Sequence, residues 1–166
     1  MNSQLENFKK LEKWKKSKKT IVFTNGCFDL LHKGHINLLS VASKYGDKLI
    51  VGINSDESVK KLKGENRPIE DQKTRKKNLI NIKYVDDVYV FEEPTPLKII
   101  KSICPDVLVK GADYTVNEII GAKFVLGNGG KVRTIPLTSG YSTTKSIEKM
   151  AKWRSCVLKI FVLSLI

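Results

Sequence analysis

The chain has 166 residues, 41% of them hydrophobic and 28% charged, which suits one soluble domain with a core of its own. Thirty Lys and Arg against 17 Asp and Glu give a formal charge of +13. That favours polyanionic partners, although the lysines are spread along the chain, as general lysine enrichment would also leave them, and no nucleic-acid-binding motif accompanies them. Three distant cysteines, Cys27, Cys104 and Cys156, without a C-x-x-C spacing, argue against a zinc site and a disulfide framework, and a polar N-terminus without an apolar signal core predicts a cytoplasmic protein.

Leu5, Phe8, Leu11 and Trp14 recur every three residues and predict an amphipathic helix over 3–17. The β-branched run 20–24 predicts a buried strand, ended by Asn25-Gly26. A helix is expected over 34–44, a second strand over 48–53, and a short helix over 56–62 capped by Asn54-Ser55-Asp56. A polar loop with Gly and Pro (63–70) then leads to a helix over 71–82. The third strand is expected at 84–91, followed by a helix over 95–103 with Pro96 in its first turn. A fourth strand at 106–109 ends at Lys110-Gly111. A helix over 119–126, a turn at 127–130 and a fifth strand at 131–135 follow, then a loop over 136–141 and a last helix from Ser142.

Strand–helix alternation of this kind predicts an α/β fold: a doubly wound, parallel, five-stranded Rossmann-like sheet with helices on both faces. The expected organisation is a helical extension over 1–19, one catalytic domain over 20–152 and an apolar tail over 153–166. The apolar run 157–166 is too short for a bilayer, which takes roughly 20 residues. It suits a packing element, a dimer contact or a dispensable tail equally, and no stable membrane insertion is expected.

The chemistry concentrates at Asn25-Gly26-Cys27-Phe28-Asp29-Leu30-Leu31-His32-Lys33-Gly34-His35, between the first strand and the first long helix. Backbone N–H groups at such a turn and the helix start form an anion site. Gly26 allows close backbone approach, and Gly34 admits a phosphate. His32 and His35, the only histidines, are three apart and can donate together to an α-phosphate as charge builds in the transition state. Cys27 reads as a small buried residue, since no basic partner activates it in the sequence. Trp14 and Trp153 read as packing groups.

The His-x-Gly-His stretch resembles the signature of the nucleotidyltransferase superfamily that includes cytidylyltransferases, pantetheine-phosphate adenylyltransferase and class I tRNA synthetases. Further stretches narrow the resemblance: Val51-Gly52-Ile53-Asn54-Ser55-Asp56, Leu62-Lys63-Gly64, Arg67-Pro68-Ile69, Pro105-Asp106-Val107-Leu108-Val109-Lys110-Gly111-Ala112-Asp113-Tyr114, and Gly140-Tyr141-Ser142-Thr143-Thr144. In this order, over about residues 18–150, they are similar to the adenylyltransferases that make ADP-heptose from D-glycero-β-D-manno-heptose 1-phosphate.

The resemblance implies roles. His32 and His35 would stabilise the α-phosphate. Lys63 would meet phosphates of the sugar or the triphosphate, and Arg75 would lie near the pyrophosphate. Thr24, Asn25, Gly26, Cys27, Phe28 and Gly34 would line the triphosphate site. Lys110, Gly111 and Asp113 would border ribose and base. Ser142, Thr143 and Thr144 would open the last helix on phosphate. Asp29, Asn54 and Asp56 would face the sugar substrate. ATP would come with Mg²⁺ bridging phosphate oxygens and few protein ligands, so no protein metal site is expected. The sugar phosphate would attack in line, without a general base. A homodimer is implied, and nucleic acid is not.

Two features depart from the resemblance: the lysine-rich stretch 72–79 and the apolar tail. Many relatives carry this domain behind a sugar kinase. The present length leaves no room for one, so the phosphorylated sugar is expected from another protein. Two other readings compete. A glycerol-3-phosphate cytidylyltransferase shares the first motif and the Ser-Thr-Thr-Lys end, but would differ at Lys110–Tyr114. A non-catalytic basic nucleotide- or nucleic-acid-binding module would suit the charge, but not the intact histidine pair.

Overall fold

The computed structural model describes residues 2–111 and 115–136, with side chains from residue 6 onward. The elements run α1 (Asn2–Lys16), β1 (Ile21–Gly26), α2 (Lys33–Ala42), β2 (Lys48–Asn54), α3 (Asp56–Lys63), α4 (Gln72–Ile80), β3 (Asp87–Phe91), α5 (Leu97–Ile103), β4 (Val107–Gly111), α6 (Ala122–Gly127) and β5 (Lys131–Ile135). Single 3₁₀ turns follow α2 (Ser43–Tyr45) and precede α6 (Val116–Glu118).

The five strands form one parallel sheet in the order β3-β2-β1-β4-β5. The β-branched runs pack on both faces, as a parallel sheet requires. Alternation along β1 sends Ile21 and Phe23 to one core cluster with Leu11 of α1, Ile100 and Ile103 of α5 and Val125 of α6. It sends Val22 to the other, with Leu39 and Ala42 of α2 and Leu79 of α4. The expected doubly wound architecture is therefore present. The chain goes from β1 outward through β2 to β3, then returns to place β4 on the other side of β1. That reversal puts the topological switch point at the carboxyl end of β1, where open α/β sheets bind ligands.

The differences from expectation lie at element ends. The third strand starts at Asp87, not residue 84, because Tyr84–Asp86 belong to a turn after α4. The Val85 N–H donates to Ile82 O at 2.8 Å. The Asp86 carboxylate accepts from the Leu49 N–H at 2.9 Å and pairs with Lys48 at 2.7 Å. Pro96 is the N-cap of α5 and not a first-turn residue; the helix begins at Leu97. The helix expected from 119 begins at Ala122, because Gly121 sits at φ +91°, a left-handed geometry that ends the preceding turn. β1 and β4 extend through Asn25-Gly26 and Lys110-Gly111, whose partners are Gly52-Ile53 and Thr134-Ile135. α2 ends at Ala42, two residues early. The last helix from Ser142 and the tail lie outside the described residues, as does the loop before them from residue 137. Among the described residues, no helix is long and apolar enough to cross a membrane.

Candidate active site

β1 delivers the chain to the loop 27–32, where Phe28 (φ 49°) and Leu30 (φ 57°) adopt left-handed backbone, unusual for residues with large side chains. Such conformations persist only where the surroundings hold them, and they gather at functional sites. Phe28 is buried, its ring folded beneath Gly26. A Cβ on Gly26 would stand 3.2 Å from the Phe28 ring. Gly26 thus makes room for Phe28, whose ring also packs 5.1 Å from His35.

His32 is the N-cap of α2, and its Nδ1 accepts from the His35 N–H at 3.3 Å. In neutral His32 the ring proton therefore resides on Nε2. The two imidazoles stack at 3.7 Å, 19° from coplanar. Burial holds the His35 pKa down to about 4, with the neighbouring His32 adding to the effect. Burial also lowers that of His32. Both rings are thus neutral hydrogen-bonding groups near pH 7, set at the positive end of a helix. Gly34 lies in the first turn of α2, between them.

Three buried polar atoms without hydrogen-bond partners among the described residues occur at this end of β1: Thr24 Oγ1, Asn25 Oδ1 and His35 Nδ1. Buried polar groups are nearly always paired, and clusters of exceptions mark sites of function. Lys110, at the end of β4, reaches across to β1 and donates to Asn25 O at 3.1 Å. Burial lowers its pKa to about 8. Cys27 is half-buried, its Sγ 3.9 Å from Asn54 Oδ1. Burial raises its thiol pKa, so it is no activated nucleophile.

On the β2 side, two residues expected to meet ligand are turned inward. Arg75 is 0% exposed. Its guanidinium donates to Glu70 O (3.0 Å), Cys27 O (2.7 Å) and Asp56 Oδ1 (2.8 Å), joining three segments. Asp29 is 2% exposed. It accepts from Arg67 Nε (2.7 Å) and from the N–H groups of Ile69 and Glu70, each at 3.0 Å. Burial works against its charge. The two backbone N–H groups and then Arg67 outweigh that and hold its carboxyl below the usual range. Asp56 is half-buried beside Arg75, and its N–H donates to Gln72. Asn54 donates to Ser58 Oγ at 3.0 Å, and Ser58 donates onward to Glu93 O. Lys63, the last residue of α3, is exposed.

The structure therefore brings together Thr24, Asn25, Gly26, Cys27, Phe28, His32, Gly34, His35 and Lys110 around the β1 end, with Gly111 closing β4. Asp29 and Arg75 stand behind that surface, as anchors. Asp113, Ser142, Thr143 and Thr144 lie outside the described residues. Arg67, in the Arg67-Pro68-Ile69 stretch, pairs with Asp29, and its neighbours in sequence do not single it out. The available signal was Asp29 itself, a carboxylate in an otherwise apolar loop segment that needs a cation once buried.

Comparisons with known proteins show the family. The cytidylyltransferase-like family matches residues 23–149. The chain is 52% identical over 137 residues to the bifunctional protein HldE of Koribacter versatilis, covering 82% of this chain and 28% of that protein. It is 52% identical over 135 residues to the HldE of Campylobacter fetus, covering 81% and 29%. The chain thus spans less than a third of the length of these relatives. Among solved structures, the lipopolysaccharide core biosynthesis protein of Thermoplasma volcanium is 28% identical, with a TM-score of 0.58, covering 75% of this chain and 99% of that one. A macrolide-efflux protein of Streptococcus pneumoniae, 21% identical with a TM-score of 0.58, shares the fold.

Proposed function

The chain belongs to the cytidylyltransferase-like family of nucleotidyltransferases, and on that footing we propose that it transfers AMP from ATP to D-glycero-β-D-manno-heptose 1-phosphate, releasing pyrophosphate and ADP-heptose for surface-glycan synthesis. The observation that carries the reaction class is the stacked neutral pair His32 and His35 at the α2 N-terminus. The sugar rests on the Lys110–Tyr114 and Gly140–Thr144 stretches and on the likeness to the HldE proteins.

The reaction needs little covalent chemistry from the protein. The acceptor's phosphate oxygen is already ionised near pH 7, so no general base is required. It attacks the α-phosphorus in line, the bond to the β-phosphate oxygen breaks, and pyrophosphate leaves. The His32 Nε2–H and the His35 imidazole would donate to the α-phosphate oxygens as negative charge grows there. The N–H groups of the first α2 turn add the field of the helix end. Donors fixed in place before reaction need no reorganisation, and one such donor is worth roughly 10²–10³ in rate. Lys110 would bring charge from the β4 side, and Lys63 from the β2 side.

Magnesium is part of the proposal, arriving with ATP. The described residues contain no group of three or more His, Cys, Asp or Glu able to hold a metal. Both Asp29 oxygens are already engaged. When bound with ATP the ion would neutralise phosphate charge. A cytoplasmic location, where ATP is at hand, and a homodimer complete the reading.

The test is a panel of ATP or CTP with heptose 1-phosphate or glycerol 3-phosphate, read by pyrophosphate release. Turnover with ATP and heptose 1-phosphate is expected. His35→Ala should lower kcat roughly 10²–10³-fold with the fold intact. Release only with CTP and glycerol 3-phosphate would replace the substrate assignment. No release with any pair, together with salt-sensitive RNA binding, would replace the enzyme by a binding module.

A further inference from the structure

We infer that Arg67, oriented by the buried carboxylate of Asp29, is a phosphate-binding residue of the acceptor half of the site. The inference rests on the proposed sugar-phosphate acceptor. Arg67 sits in the loop between α3 and α4, next to a cis Arg67-Pro68 bond. Its side chain is 14% exposed, and that of Asp29 is 1% exposed. Among the described residues, its one side-chain hydrogen bond runs from Nε to Asp29 Oδ2, at 2.7 Å. A guanidinium has five N–H donors. Among the described residues the carboxylate engages only Nε, which leaves the four N–H donors of the two Nη groups for a phosphate.

The support is itself rigid. Asp29 also accepts from the N–H groups of Ile69 and Glu70, so the loop on either side of Pro68 is tied to one carboxylate. Arg75 ties the same loop to Cys27 and Asp56 from below. An arginine held this way loses little conformational freedom on meeting its ligand. Here Asp29 has Arg67, while Arg75 is spent on Asp56 and two carbonyls.

Position selects the acceptor over the nucleotide. The switch point lies between β1 and β4. Lys110 and Gly111, assigned to ribose and base, end β4, and the residues assigned to the triphosphate, from Thr24 to Phe28 with Gly34, lie at the end of β1 and on the histidine loop. Arg67 and Lys63 follow β2, on the opposite side of the histidine loop. Burial raises the Cys27 thiol, in the loop that leads to His32, and three nearby cations work against it: Lys63 most, then Arg75, then Arg67. Lys63 and Arg67 thus flank the approach to the α-phosphate from the β2 side, where an anionic acceptor must enter against a charged triphosphate.

The test compares wild type with Arg67→Gln, Arg67→Lys and the double variant Asp29→Asn/Arg67→Gln. The double variant removes the buried charge that a single Arg67→Gln leaves unpaired. Steady-state pyrophosphate release, with heptose 1-phosphate and ATP varied separately, is joined by calorimetric titration of each protein with heptose 1-phosphate and with inorganic phosphate. The KM for the sugar phosphate should rise roughly 10- to 100-fold in Arg67→Gln, the range for a charge-assisted bidentate contact. It should stay raised in the double variant even where thermal stability recovers. It should be partly restored in Arg67→Lys, and the KM for ATP should remain within about twofold. An unchanged sugar-phosphate KM, or a rise confined to ATP, overturns the inference, as does a defect that disappears in the double variant. Should wild type use no sugar phosphate, the substrate reading falls separately. Arg67 is then decided by the inorganic phosphate titration: weaker binding in both Gln variants supports it, and equal binding overturns it.

Discussion

Replacing Arg75 by Met tests whether this arginine is an anchor or a ligand-binding group. Its guanidinium is fully buried and makes three hydrogen bonds, to Glu70 O, Cys27 O and Asp56. Met fills similar volume but leaves two carbonyls and one carboxylate without their donor. Breaking a buried charged contact costs about 3–5 kcal/mol. Asp56 is 31% exposed, so water recovers part of its loss, and about 3–4 kcal/mol is the reasonable figure. For a chain of this length each kcal/mol moves Tm by about 2–4 °C, so a fall of roughly 10 °C is expected in calorimetry. Lys at this position reaches one acceptor instead of three and should fall in between. Activity should drop in step with stability, because the same bonds position the Cys27 carbonyl ahead of the histidine loop. A Met variant within about 2 °C of wild type whose kcat alone collapses would refute the reasoning, and would return Arg75 to the pyrophosphate.

Two further outcomes concern protons. His35 has a pKa of about 4 in the fold against 6.5 when exposed. Between those values the unfolded chain takes up a proton that the folded one refuses. Stability should therefore fall as pH drops from about 6.5 to about 4, by up to about 3 kcal/mol from this group. His35→Gln should flatten that part of the profile in urea unfolding; an identical slope in both proteins would contradict the buried neutral ring. Lys110, with a pKa of about 8, should lose its charge as pH rises through 8. ATP affinity by calorimetry should then decline above that pH, and Lys110→Arg should extend the plateau; a decline unchanged in the Arg variant removes Lys110 from the nucleotide site.

Much of this architecture is legible in the residues because the controlling physics is local. The apolar, β-branched runs at 20–24 and 48–53 can be little but buried strands, and His32-Lys33-Gly34-His35 places its own helix start. What escaped sequence reading depends on contacts far along the chain. Residues 84–86 carry strand-like side chains, yet Asp86 is held in a turn by Leu49 and Lys48. The stretch QKTRKKNL reads as a solvated, charged helix. Its one inward cation is marked only by sharing a face with Leu79, four residues on, both at 0% exposure. Asp29 reads from sequence as a residue facing the sugar substrate, and its three partners lie 38 to 41 positions away.

The central claim is that the α-phosphorus of a nucleoside triphosphate is attacked beside His32 and His35. Incubation of the protein with heptose 1-phosphate and ATP labelled with ³²P at either the α or the γ position addresses it directly. The account predicts α-label in the sugar nucleotide and γ-label in pyrophosphate, with both transfers lost together in the His32→Ala and His35→Ala variants. Label passing from the γ position to the sugar, or α-label transfer that survives loss of both histidines, would contradict it.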